Sequence, residues 1–241
     1  MIALLHLLWW MLALILLPLL LPQALHTRRH ALRLPPAAGP QCGEVGVGES
    51  LHVLVLGEST VAGVGVETQS EGLAAQLAIA LAAQGRAVAW RAVGENGITA
   101  IQAAERLLPA SLDAPADLVL LVFGVNDCTH FSSRSVWREG LRRLAESWQA
   151  KGAQVAFAAV PPLAHFRALP WMLRQLLGWR ATLLDHDLRA LAAELGAPHC
   201  ALDLPFAAQY LARDGYHPSA LGYRLWAEGL AARFSGFRQA R

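Results

Sequence analysis

From Leu51 onward, continuous apolar runs alternate with segments of helical spacing, and few folds accept that alternation. The strand-like runs are "LHVLVLGE", "AVAWRAV" (Ala87 to Val93), "DLVLLVFGV" (Asp117 to Val125), "AQVAFAAV" and a short "HCALDL". Between them lie "SEGLAAQLAIALAAQ" (Ser70 to Gln84), closed by Gly85, and "TAIQAAERLL", stopped before Pro109. "SVWREGLRRLAESWQAKG", "ATLLDHDLRALAAELG" and "SALGYRLWAEGLAARF" follow. A strand buried on both faces reads as an unbroken apolar run, because neither face meets water. Strands of that kind, each followed by a helix, predict an α/β domain with a parallel sheet and helices on both faces. In such sheets ligands sit at the carboxyl ends of the strands, so the polar residues after each strand matter most.

Those corners carry a consistent chemistry. The first strand ends in "GEST", with Glu58 and Ser59; the second in "GENGIT", with Gly94, Asn96, Gly97 and Thr99. The third ends in "GVNDC", with Asn126 and Asp127, and "RDGYHPS" precedes the last helix. Taken singly, these are a helix cap, a turn glycine, an Asx turn and a surface turn. Taken together they supply a reaction centre. Ser59 is expected at a strand-to-helix corner that exposes its hydroxyl. A serine is a weak nucleophile without a base, and the base needs an orienting acid. Asp214 and His217 lie three apart, so one turn brings both to one side. Donors for a tetrahedral oxyanion are available from the Ser59 and Gly97 backbone N–H groups and the Asn126 side-chain amide. Gly94 is a second candidate for the glycine position.

In this order the four blocks resemble those of the SGNH hydrolases, also called GDSL esterases/lipases. "GES" stands where that family has G-D-S, "GENGIT" is similar to its second block, "GVND" to G-x-N-D and "DGYHPS" to D-x-x-H. The resemblance covers about 51–234. It implies a three-layer α/β/α, flavodoxin-like domain, here expected over 51–236. It also implies Ser59, Asp214 and His217 as a triad, and Ser59, Gly97 and Asn126 as an oxyanion hole. The implied reaction is hydrolysis of a carboxylic ester through an acyl-serine, with no metal or organic cofactor. Acyl transfer by the same residues and a catalytically silent, membrane-tethered binding module are the alternatives. Glu58 replaces the usual Asp and keeps its charge; Thr60 stands in place of the usual Leu.

Hydrophobic residues make up 55% of the chain, and much of the excess sits in one place. Ile2 to Leu21 holds no formally charged residue. About 20 such residues in a helix cover a bilayer core of about 30 Å. A cleaved signal peptide competes with that reading, but nothing basic precedes Ile2 and "LPQALHTRRH" offers no clean A-x-A site. A retained single-pass transmembrane helix over 1–24 is therefore expected. A basic, then Pro- and Gly-rich linker is expected over 25–50. Arg28, Arg29 and Arg33 follow the apolar run, which predicts a cytoplasmic catalytic domain.

The first 40 residues hold three arginines and no acid, leaving 17 basic and 18 acidic residues beyond. That near balance gives no footprint for nucleic acid. Cys42, Cys128 and Cys200 have neither metal-type spacing nor an even count for a disulfide framework. Cys128 and Cys200 are expected in the core.

The expected partner is a small-molecule or lipid ester. One stretch bears on its choice. "LAHFRALPWMLRQLLG", after the fourth strand, is apolar with arginines at its edges. Phe166, Trp171 and Met172 are its candidate substrate contacts, as an acyl-chain wall or interfacial lid; packing against the core is the competing role.

Overall fold

A computed structural model describes residues 2–202 and 204–234. Six strands form one sheet: β1 Cys42–Val45, β2 Glu49–Gly57, β3 Arg86–Gly94, β4 Leu118–Val122, β5 Gln154–Ala158 and β6 His199–Cys200. Their order is β1-β3-β2-β4-β5-β6. β2 to β6 pair in parallel, as expected, and β1 joins the edge antiparallel to β3, with Cys42 opposite Arg91.

The helices are α1 Ile2–His30, α2 Leu73–Ala82, α3 Ala100–Arg106, α4 Leu108–Ser111, α5 Val125–Thr129, α6 Arg134–Gln149, α7 Trp171–Glu194 and α8 Ala220–Arg233. Successive strand residues point to opposite faces, so the sheet feeds two cores. Val53, Val55, Leu118 and Leu120 meet α2 and α8. Leu54, Leu56, Val119, Leu121 and Phe157 meet the layer containing α3, α6 and α7. This is the three-layer α/β/α arrangement. Cys128 and Cys200 are buried within it.

The second helical segment stops before Pro109, as expected: α3 ends at Arg106, and Pro109 sits in the first turn of the short α4, where its missing N–H costs nothing. Three local expectations are corrected. The apolar stretch around Trp171 is no separate lid, because its second half, Trp171 to Gly178, opens α7 and runs on into the next predicted helix. Residues 42–45, read as linker, form an edge strand. Four residues carry no periodic signal, and their order comes from hydrogen bonds to β3. Of "HCALDL", only His199 and Cys200 pair with β5. Asp203 and the expected domain end at 236 lie outside the described residues.

α1 is long and apolar enough to cross a membrane by length and composition. It also runs past residue 24, and it packs on the domain along its whole length. Ile2, His6, Trp9, Ala13, Leu16 and Leu20 form a covered stripe that continues to Thr27, while the intervening leucines are exposed. A spacing of three and four residues is the mark of one helix face against a neighbour. That neighbour is α7, running antiparallel: His6 meets Asp187 near one end and Gln23 meets Met172 near the other. The chain after α1 is held too, with Ala37 N–H donating to the Ala62 carbonyl at 3.1 Å and Ala38 N–H to that of Glu67 at 2.9 Å.

Candidate active site

β2 is buried to its end, and the chain must leave the sheet at Gly57. Ser59 does not open a helix there. Residues 59–65 form a run of turns, and α2 begins only at Leu73. The Val61 and Ala62 N–H groups both donate to the Glu58 carbonyl, which folds the corner tightly. The Tyr223 hydroxyl on α8 donates to the Val64 carbonyl at 2.7 Å and pins the turns from below.

On the opposite side, a turn before α8 carries Asp214 and His217. Asp214 Oδ1 accepts from the Tyr216 and His217 backbone N–H groups at 3.0 and 3.1 Å, which orients the carboxylate. Its Oδ2 lies 2.7 Å from Nδ1 of His217, and Nε2 of that ring lies 2.9 Å from Ser59 Oγ. A carboxylate beside Nδ1 keeps the proton there and leaves Nε2 free to accept one. Burial pushes the Asp214 carboxyl up. The hydrogen bond from His217 and those from the backbone outweigh that push and hold it below the ordinary carboxylate range. The geometry can therefore draw a proton from Ser59.

The oxyanion candidates converge on the same corner. Among the described residues, neither the Ser59 nor the Gly97 backbone N–H has a hydrogen-bond partner. Gly97 has φ +85° and faces open space, where a side chain would be strained and would intrude. Gly94 differs: it ends β3 against Val61 and Ala62, where an added Cβ would come within 2.5 Å of the Ala62 nitrogen. Asn126 Nδ2 donates one hydrogen to the Ile98 carbonyl at 3.0 Å, which links the third block to the second. Its second amide hydrogen is left for a ligand.

Glu58 was legible only as a departure from a motif, and the structure gives it a task. Its carboxylate is buried and accepts from Gly124 N–H at 2.7 Å and from Asn126 N–H at 3.2 Å. Burial, with Asp127 nearby, raises the Glu58 carboxyl well above its ordinary value despite those donors. Asp127, fully buried, accepts from Ala100 N–H at 3.0 Å at the start of α3. An ionisable residue directly after the apolar run Val53 to Leu56 and Gly57 was the signal available in the sequence.

Two cavities flank Ser59. One is apolar, lined by Phe123, Phe166, Leu204, Phe206 and Trp226. The other runs from Gly97 and His217 to the end of α1 and the segment after it, including His30 and Arg33. Of the three predicted substrate contacts, only Phe166 borders the apolar cavity, edge-on to Tyr216 at 4.8 Å. Trp171 is 68% exposed and Met172 faces Gln23 of α1; neither lines it. Among the described residues, no group of three or more His, Cys, Asp or Glu side chains gathers as a metal site.

Solved structures share this architecture. TesA is 20% identical, with a TM-score of 0.61 over 76% of this chain and 97% of its own. The psychrotrophic esterase EstA from Pseudoalteromonas sp. is 19% identical, with a TM-score of 0.61 over 77% of this chain and 97% of its own. The lipase/acylhydrolase from Enterococcus faecalis is 21% identical, with a TM-score of 0.59 over 79% of this chain and 99% of its own. A search of curated proteins finds no match. The profile of the GDSL-like Lipase/Acylhydrolase family matches residues 55–225. That stretch is well over half of the sequence and takes in Ser59, Gly97, Asn126, Asp214 and His217, so the chain belongs to the GDSL-like lipase/acylhydrolase family.

Proposed function

We propose that the protein is a serine esterase that hydrolyses carboxylic esters through an acyl-serine intermediate. The unbroken line Ser59–His217–Asp214, with contacts of 2.9 and 2.7 Å, is the observation that carries this reading. Ser59 Oγ attacks the ester carbonyl as its proton passes to Nε2 of His217. The negative oxygen is met by the Ser59 and Gly97 N–H groups and the free amide hydrogen of Asn126. His217 returns the proton to the leaving alcohol. It then takes one from water, whose oxygen attacks the acyl-serine and releases the acid. Asp214 holds the imidazolium throughout.

The apolar cavity suits the acyl chain and the cleft toward Gly97 suits the alcohol. An ester with a hydrocarbon acyl group, small or lipid, is thus the substrate class. α1 keeps the domain at a membrane, and Arg28 and Arg29 in its last turn, with Arg33 just after it, favour the anionic cytoplasmic leaflet. The EstA structure is described as inhibited by monoethylphosphonate, and a phosphonate is the natural probe here. A fluorophosphonate should label the protein, and Ser59→Ala should abolish labelling while leaving the melting temperature near that of the wild type. Labelling that persists in the alanine variant rules Ser59 out, and a wild type that never labels favours the silent binding module.

A further inference from the structure

We propose that α1 does not cross the bilayer but lies flat in one leaflet, strapped to α7, with its outward leucine face in lipid. The first ground is the contact itself. Trp9, fully buried, donates its indole N–H to the Leu176 carbonyl at 2.9 Å. The Arg180 guanidinium sits 4.7 Å from the Trp9 ring and 5.3 Å from the Trp10 ring. Nε2 of His6 lies 2.8 Å from the Asp187 carboxylate, whose two oxygens also share the Arg134 Nε–H at 2.8 and 2.9 Å. Buried ionic contacts of this kind are stable only when every member stays in place. They tie the first third of α1 to the middle of α7.

The second ground is what lies beside α1. α7 exposes Gln175, Thr182, His186 and Arg189, and the Arg134 side chain is 39% exposed. A membrane-spanning α1 in the same contact would carry these polar groups into hydrocarbon, where the charges of Arg134 and Arg189 are costly even beside Asp187 and Asp185. Undocking α1 instead would strip Asp187 and Arg180 of their covering. Lying flat avoids both. The helix is about 43 Å long, and its outer face offers Leu4, Leu7, Met11, Leu14, Ile15 and Leu25 to acyl chains. Exposed Arg28 and Arg29 at its carboxyl end meet anionic headgroups, and exposed Trp171 sits at the same end. The cleft that holds Gly97 and His217 is bordered by the chain from Thr27 to Leu34, so its mouth opens at the headgroup layer.

Two measurements on the full chain in native membranes decide it. With one epitope before Met1 and another after Arg241, protease added to intact and to opened spheroplasts should find both in the same compartment. In a Cys42→Ser background, Gln23→Cys with Met172→Cys, whose native side chains approach to 3.9 Å, should cross-link on mild oxidation of the membranes. Epitopes on opposite sides, an amino-terminal epitope lost by cleavage, or a chain recovered in the soluble fraction would each overturn the proposal. So would a membrane-bound chain that fails to cross-link.

Discussion

Three residues around Ser59 separate positioning from chemistry. Asn126 spends one amide hydrogen on the Ile98 carbonyl, and the proposed mechanism gives the other to the oxyanion. Asn126→Ala should lower kcat on the order of 10²-fold with KM changed far less, measured on a p-nitrophenyl ester. Asp214 fixes the tautomer of His217, so Asp214→Asn should cost several orders of magnitude in kcat. Its carboxyl is held below the ordinary value of 3.8 in the folded chain. The stability it contributes is present above that value and is lost as pH falls through the folded one. The melting-temperature deficit of Asp214→Asn should therefore shrink in strong acid. Glu58 has the opposite sign. Its folded value is raised above 4.5, so its contribution is complete below 4.5 and is lost as pH rises through the folded value. The melting temperature of Glu58→Gln relative to wild type should climb between pH 4.5 and neutrality. Serine, asparagine and the Asp-x-x-His turn were legible because a strand end fixes its own corner. The task of Glu58 was not legible, since its donors lie 66 and 68 residues away.

At the scale of elements, α7 joins two pieces that looked separate. Its first turn, with Trp171 and Met172, was expected to touch substrate, yet Trp171 is exposed and Met172 faces α1. The cavity beside Ser59 takes Phe206 from the loop after β6 instead. Each acyl CH₂ buried is worth about 0.8 kcal/mol. Phe206→Ala should therefore reshape the dependence of kcat/KM on acyl length across a p-nitrophenyl ester series. Trp171→Ala should leave that profile intact, and a change there would return the start of α7 to the acyl site. Further along the same helix, Asp187→Ala leaves His6 in a covered site without its carboxylate and takes the partner from half-exposed Arg134. Losing one member of such a cluster costs about 3–5 kcal/mol, visible as a lowered unfolding midpoint. The β1 edge and the join within α7 escaped sequence reading for related reasons. Four residues are too few to show a period, and Gly178 reads as the end of a segment where it lies inside α7, packed so closely on Ala164 that a Cβ would clash.

The whole molecule is an α/β/α domain with a fourth element, α1, laid along one outer layer. An apolar helix gives no local sign of which face will be covered. Its residues are alike on every side, so the stripe from Ile2 to Thr27 appears only once α7 stands beside it. The sheet is another matter. Unbroken apolar runs separated by helical spacing leave a chain one economical arrangement, and the five parallel strands follow from it. The amino-acid order by itself determined the fold class, the family and the residues at each strand end, because strand burial and corner chemistry are local properties repeated along the chain. Only the tertiary structure decided that Glu58 holds the Asn126 loop, that Phe166 borders the apolar cavity beside Ser59 while Trp171 does not, and that α1 docks on α7 beside Asp187 and Arg180. Those relations join residues from about 40 to more than 180 positions apart, and no periodicity or spacing in the sequence carries such distances.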